Sequence, residues 1–436
     1  MRYWHLLLGT VFIYLAAHVK LGVPGPVASL GRWVLLAGAA AVSVWLLSFS
    51  RRADPFPNRT GGIGAAVLVF CVLTLSTALA GFQVRLSVLK WILLSIQLFI
   101  FVYAANRLVP VRHWAWLVGG LFVLFAVPTM LTFMGAVTGY SPIVTFFGIY
   151  HQGRLAVLGN PNSVGMVALA SGVTALWVQE APFVRERWAR RAVPLGVVVA
   201  SALVVLWTAS RSALGGLAVG GGIWAVATGK GARSIGLGAL AVLALWVWSL
   251  DFSALDSLGM VVERLQGGRL LDTRESVWEA SLRNWKEYPW FGHGYGVTEG
   301  GYDLEGLSGS VGSVRDGSGY FGVLESVGGV GLGGVLVLYT AVARNVWHLW
   351  QLSVVHNGLR TQVEWLLGAM GGALFFGFAV NAVGEPWLVG PGSFPHLVFW
   401  CALGIHVAGT ARVRTQMAEK SRHRSPVGPA APSRVS

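Results

Sequence analysis

Charge is what this sequence has least of. Only 11% of its 436 residues are Asp, Glu, Lys or Arg, against roughly 25% in average soluble domains. That scarcity excludes a soluble globular enzyme, a disordered chain and a nucleic-acid-binding domain. Cysteine is nearly absent as well. Cys71 and Cys401 both lie inside apolar runs, so no disulfide framework exists and no CxxC or Cys/His metal spacing occurs. A Walker A sequence, an Asp-x-Asp pair and a His-x-x-x-His pair are also missing. Their absence argues against an ATP-driven pump and against a metal-held sugar nucleotide. No cofactor and no metal is expected. The stretch Lys20–Pro26, the first loop expected outside, has no carboxylate. A multi-span glycosyltransferase that keeps a catalytic acid there is therefore disfavoured.

What is present is apolar length. Hydrophobic residues make up 55% of the chain, or about 240 residues, and a membrane-spanning helix needs about 20. Twelve apolar segments can be read, at 4–19, 27–48, 61–80, 86–105, 114–137, 161–179, 194–209, 212–228, 234–250, 318–343, 363–381 and 394–410. The expected fold class is all-α: a polytopic membrane helix bundle of about twelve transmembrane helices over residues 1–410, with the lipid bilayer as its solvent. The first segment lacks a small-x-small cleavage site and reads as an uncleaved span.

The net charge of +14 fits cytoplasmic loops better than nucleic acid. Arg51, Arg52 and Arg59, then Arg107 and Arg112, then Arg185, Arg187, Arg190 and Arg191 fall in alternate loops. Lys230 and Arg233, Arg344 and Arg360, and the cluster from Arg412 to Arg424 continue the pattern. The positive-inside rule then puts these loops and both termini in the cytoplasm. The tail at 411–436 reads as basic, Pro/Ser-rich and disordered by composition.

One loop on the opposite side is long. Residues 251–317 carry eleven of the eighteen acidic residues. A structureless loop of that length is unusual, so it should hold folded elements. Residues 274–287 predict an amphipathic helix with Val277, Trp278, Leu282 and Trp285 on one face. Tyr288-Pro289 ends it, and a Gly-rich stretch follows.

The outward side also offers cations near membrane level: Arg85, Arg154, Arg211 and Arg274. An Arg at bilayer depth costs at least ~2.5–3.5 kcal/mol, so it usually faces a partner or a water-filled cavity. The guanidinium fork suits diphosphate oxygens through bidentate charge-assisted bonds. Glu325 within the tenth segment and Glu385 in the last outward loop are secondary candidates.

Several motifs occur in one order. Asn160-Pro161-Asn162 and Ser210-Arg211-Ser212 each open a span, and Arg274-x-x-x-Trp278 opens the loop helix. Pro289-x-x-Gly292-x-Gly294 and the run Tyr320–Gly331 follow. This set resembles the bacterial O-antigen ligase/polymerase superfamily, over about residues 150–345. The resemblance implies a helical bundle with a large periplasmic loop in the inner membrane. It implies transfer of an undecaprenyl-diphosphate-linked glycan to a hydroxyl on a glycan, lipid or protein, without metal or nucleotide. Carried over by residue, Arg211 and Arg274 would contact the carrier diphosphate, with Arg154 a looser match. The resemblance does not separate ligase from polymerase.

The chain departs from that pattern at one place. The family usually carries a His about three residues before the Tyr of the tenth span. Here the stretch reads Arg315-Asp316-Gly317-Ser318-Gly319-Tyr320, with Gly317 at the His position. The proton must then pass elsewhere. His293 is favoured as base by residue type, with Asp316 as orienter or alternative base. The other functional class is a secondary transporter or lipid-linked glycan flippase. It would call for midplane charges and repeated halves, whereas most spans here lack charges and the two halves show no clear repeat.

Overall fold

The computed structural model describes residues 3–18, 25–49, 62–138, 150–151, 154–155, 160–180, 186–208, 210–229, 272–297, 318–355 and 362–424. The chain forms helices α1 (Tyr3–His18), α2 (Gly25–Phe49) and α3 (Ile63–Ala80). Next come α4 (Val84–Leu108), which contains a π turn, and α5 (Val111–Thr138). Then follow α6 (Pro161–Glu180), α7 (Arg187–Trp207), α8 (Arg211–Thr228) and α9 (Asp272–Glu287). The last three are α10 (Gly319–Val355), α11 (Val363–Asn381) and α12 (Phe394–Arg424). A two-residue antiparallel pair, Tyr150–His151 with Arg154–Leu155, is the one extended element among the described residues.

Each apolar segment read from the sequence is met by a helix except 234–250, which lies outside the described residues. The last one runs on as helix to Arg424. Among the described residues, eight helices are long and apolar enough to cross a membrane, where the sequence predicts about twelve spans. α1 and α7 hold shorter apolar stretches, and α8 is diluted by five glycines. The protein is a multi-pass membrane protein. Of the loop 251–317, only 272–297 is described.

Small residues bring α6, α8 and α11 together. A Cβ at Gly216 would collide with the Gly377 carbonyl, and one at Gly220 would stand 3.0 Å from the Ala373 carbonyl. Gly165 of α6 faces Ser210 and Ala213 in the same way. Without water to drive helices together, such close backbone approach is how membrane helices gain dispersion contacts.

α10 is not one straight rod. Gly328 sits at φ 60°, ψ −164° inside it, a conformation open almost only to glycine. The Tyr320 and Tyr339 hydroxyls nevertheless lie 3.1 Å apart across nineteen residues. A straight helix would separate those positions by about 28 Å. α10 therefore folds back at Gly328 into a short limb, 319–327, and a long limb, 329–355.

The fold-back cuts two backbone hydrogen bonds of the helix ladder, and the turn after α9 replaces both. The Glu325 and Ser326 carbonyls accept from the His293 and Gly294 N–H groups at 3.0 and 2.8 Å. The Gly329 and Val330 N–H groups donate to the Pro289 and Trp290 carbonyls at 2.8 and 3.0 Å. Glycine is needed there, because a Cβ at Gly292 would stand 2.5 Å from the Ser326 backbone. The same turn is held from the other side by the α3–α4 hairpin. Phe82 N–H donates to the His293 carbonyl at 3.0 Å and Ser87 Oγ to the Tyr295 carbonyl at 3.2 Å. The Lys90 ammonium donates to the Gly296 carbonyl.

Candidate functional site

The starts of α6, α8 and α10 meet the end of α11. At α6, the Asn160 side chain accepts the Asn162 N–H at 2.9 Å, and Pro161 opens the helix. Both are favoured at a helix start, where backbone N–H groups lack partners. α8 opens at Arg211, which is half-buried, between Ser210 and Ser212. Asn381 at the end of α11 donates to Ser212 Oγ at 3.2 Å and accepts from Trp387 Nε1 at 2.9 Å. At α10, the Gly319 N–H donates to the Ala382 carbonyl at 2.7 Å, and Tyr320 Oη donates to the Ala379 carbonyl at 2.9 Å. Glycine at 319 permits this approach, since a Cβ there would sit 3.0 Å from the Glu385 carbonyl. Glu385 is buried, with 7% of its surface exposed.

Three helix starts thus bring their positive dipole ends to one region that also holds Arg211. That electrostatic sign suits an anion, and a phosphate in particular. The segment between α11 and α12 closes the region from one side. Its Trp387, Leu388 and Val389 are buried. It reaches down to Gln97 of α4, whose amide donates to the Pro391 carbonyl. Gln97 in turn meets His396 Nδ1 at 2.8 Å, and Trp400 Nε1 donates to His396 Nε2 at 3.1 Å.

The other expected site residues fall in different places. Arg274 lies in the first turn of α9, one turn before Trp278. α9 packs along the short limb of α10, with the Trp278 and Phe321 rings 5.1 Å apart and Asn284 Nδ2 donating to Glu325 Oε1 at 2.9 Å. α9 therefore carries Arg274 toward the start of α10. Arg154 lies in the short antiparallel pair before α6. Asp316 and Gly317 lie outside the described residues. Arg85 is exposed on the α3–α4 hairpin, which meets the 288–297 turn rather than the start of α8.

His293 is enclosed in the turn after α9. It is 2% exposed, and its ring stacks on Phe82 and meets Tyr288 edge-on at 5.0 Å. Nδ1 lies 3.1 Å from the Glu325 carbonyl. A carbonyl only accepts, so Nδ1 carries a proton. Nε2 is buried with no hydrogen-bond partner. Glu325, also 2% exposed, serves the same seam through its carbonyl and its carboxylate.

Sequence reading missed Lys90, Asn381, Trp387, Gln97 and His396. A lone charge inside an apolar run marks Lys90, and polar residues inside the spans mark Gln97 and His396. Between the two limbs of α10 lies a small cavity lined by Thr74, Tyr295, Val323, Val327 and Tyr339, among others. Burial pushes the Tyr295 phenol far up, so it stays neutral and can donate but not act as a base.

Residues 196–336 match the family model described as O-Antigen ligase. The matched segment includes Ser210-Arg211-Ser212, Arg274, Pro289-x-x-Gly292-x-Gly294 and both sides of the α10 fold-back, and it leaves out Asn160–Asn162. No curated protein matches the chain.

Proposed function

From the match of residues 196–336 to the O-antigen ligase family model, we propose that the chain is a member of that superfamily and transfers a glycan from undecaprenyl diphosphate to an acceptor hydroxyl. The observation that carries this reading is the meeting of Arg211 with three helix starts, Asn381 and Glu385 at one end of the bundle. Arg211 and Arg274 bind the diphosphate, with Arg154 beside them. The acceptor oxygen attacks the anomeric carbon, the bond from that carbon to the diphosphate breaks, and undecaprenyl diphosphate leaves. Arginine forks and helix dipoles stabilise the charge that develops on the departing oxygen.

The hydroxyl proton goes to a carboxylate. Asp316 stands three residues before Gly319, where α10 begins, and is the proposed base. Glu385, buried beside Gly319, is the second carboxylate of this end. The geometry of His293, enclosed and turned to the Glu325 carbonyl, supports a positioning role. Neither metal nor nucleotide takes part. The protein lies in the cytoplasmic membrane with both termini inside, so the site end faces out.

The test is transfer by the purified protein from an undecaprenyl-diphosphate-linked glycan to a hydroxyl acceptor. Release of undecaprenyl diphosphate is expected, together with accumulation of the lipid-linked glycan in a deletion strain. A protein that leaves the donor intact but moves it across vesicles would be a flippase, and the transfer reading would fall.

A further inference from the structure

Large aromatic side chains gather, exposed, around the α10 fold-back. Phe82 is 68% and Trp290 70% exposed, with Tyr288 and Phe291 exposed beside them. The backbone under them is fixed. The Pro289 and Trp290 carbonyls accept from Gly329 and Val330, and Phe82 N–H donates to His293. The Phe82 and Tyr288 rings meet edge-on at 5.1 Å. A rigid, contiguous aromatic patch of this kind marks an interaction surface.

Its surroundings say what covers it. The patch continues into the exposed apolar flank of α3 and α4, through Leu79, Val84 and Leu89. Both helices are apolar enough to cross a membrane. The long limb of α10, Gly329–Val355, measures about 39 Å at helical rise, more than the ~30 Å hydrocarbon core. It crosses the bilayer alone, so the fold-back stands near where it emerges. Tyr and Trp are enriched at that boundary, where an apolar ring and a polar edge are both satisfied. Arg85, exposed one turn after Phe82, adds a cation for headgroup phosphates.

We propose that Phe82, Tyr288, Trp290 and Phe291, with Arg85, form an interfacial seat that rests in the headgroup region of the leaflet at the site end. The short limb of α10 runs back from that level by about 12 Å between Gly328 and Tyr320. Arg211, Asn381 and Glu385 then lie below the headgroup plane, where a membrane-bound anion meets them without leaving its leaflet. The seat does not depend on the transfer reading.

Spin labels measure it directly. In full-length protein carrying Cys71→Ser and Cys401→Ser, Trp290→Cys and Phe82→Cys would be labelled separately. Both would be studied in phosphatidylethanolamine/phosphatidylglycerol vesicles. Both labels should favour collision with oxygen over a water-soluble nickel complex, at a depth of about 5–10 Å. Preference for nickel at either position overturns the seat. So does shielding from both reagents, which would mean that protein covers the patch. Phe82 reports from a different element, so disturbance of the 288–291 turn by Trp290→Cys leaves the test intact. Each variant must elute as its parent does.

Discussion

Replacing His293 by Asn, Gln and Ala separates two roles that the ring could play. In the structure Nδ1 donates to the Glu325 carbonyl at 3.1 Å, while the ring packs on Phe82 and Tyr288. Alanine removes the hydrogen bond, worth about 1 kcal/mol. It also removes two aromatic contacts, worth roughly 0.5–1.5 kcal/mol each. The expected loss is about 2–4 kcal/mol, and a loosened seam between the 288–297 turn and α10. Asparagine places its amide where Nδ1 was and keeps the bond, so its loss should be about 1–3 kcal/mol. Glutamine places the amide nearer Nε2 and should not restore the bond. The assay is transfer rate per folded protein, read beside thermal stability by size-exclusion chromatography. A positioning role predicts Asn within about tenfold of wild type, with Gln and Ala well below it. General base catalysis is worth roughly 10²–10⁴-fold. If His293→Asn folds normally yet falls as far as Ala, His293 is the base and the positioning argument is refuted.

Arg211→Lys keeps the charge but loses the planar fork. Transfer should fall about tenfold to a hundredfold, from hydrogen bonds to charge worth ~1.5–3 kcal/mol, and an unchanged rate would remove Arg211 from the diphosphate site. Turnover should survive excess chelator, whereas loss that returns with Mg²⁺ would contradict metal-free transfer. Asp316→Asn should slow transfer more than Glu385→Gln at equal expression, and the reverse order would move the base to Glu385. Gly328→Ala forces a side chain into φ 60°, with its Cβ 2.5 Å from the Trp290 carbonyl. It should cost of order 2–4 kcal/mol, seen as loss of the monodisperse peak, and a normal melting profile would show that α10 does not need the fold-back.

The bundle was legible because its signals are local. Apolar runs announced α1–α8 and α10–α12, and the spacing of Val277, Trp278, Leu282 and Trp285 announced α9. Motif order found the start of α8 and the Gly-x-Gly turn. The assembly of the site was not legible, since its bonds join distant positions. Asn381 meets Ser212 across 169 residues, and Gln97 meets His396 across 299. Nothing in the run Leu324–Leu332 marks Gly328 as a fold-back, because glycines there read equally as small residues for close helix packing. His293 drew attention by residue type, while its burial is a property of the turn that encloses it.

Backbone satisfaction explains why two of the motifs occur together. Breaking a helix at Gly328 frees the Glu325 and Ser326 carbonyls and the Gly329 and Val330 N–H groups. In a low-dielectric bundle each unmet group costs several kcal/mol. No other described backbone group meets them, and the 288–294 turn supplies two acceptors and two donors. Proline at 289 loses nothing there, since only its carbonyl is used. The two positive-φ glycines, Gly292 and Gly294, let the turn reach the break without a Cβ in the way. The turn and the fold-back are therefore one device. α9 leads directly into the turn, so the device also fixes the height of Arg274 against α10 and, through Gly319 and Ala382, against α11 and Ser212. A change confined to the turn should reach the site as altered Arg274 placement, long before it reaches the apolar core.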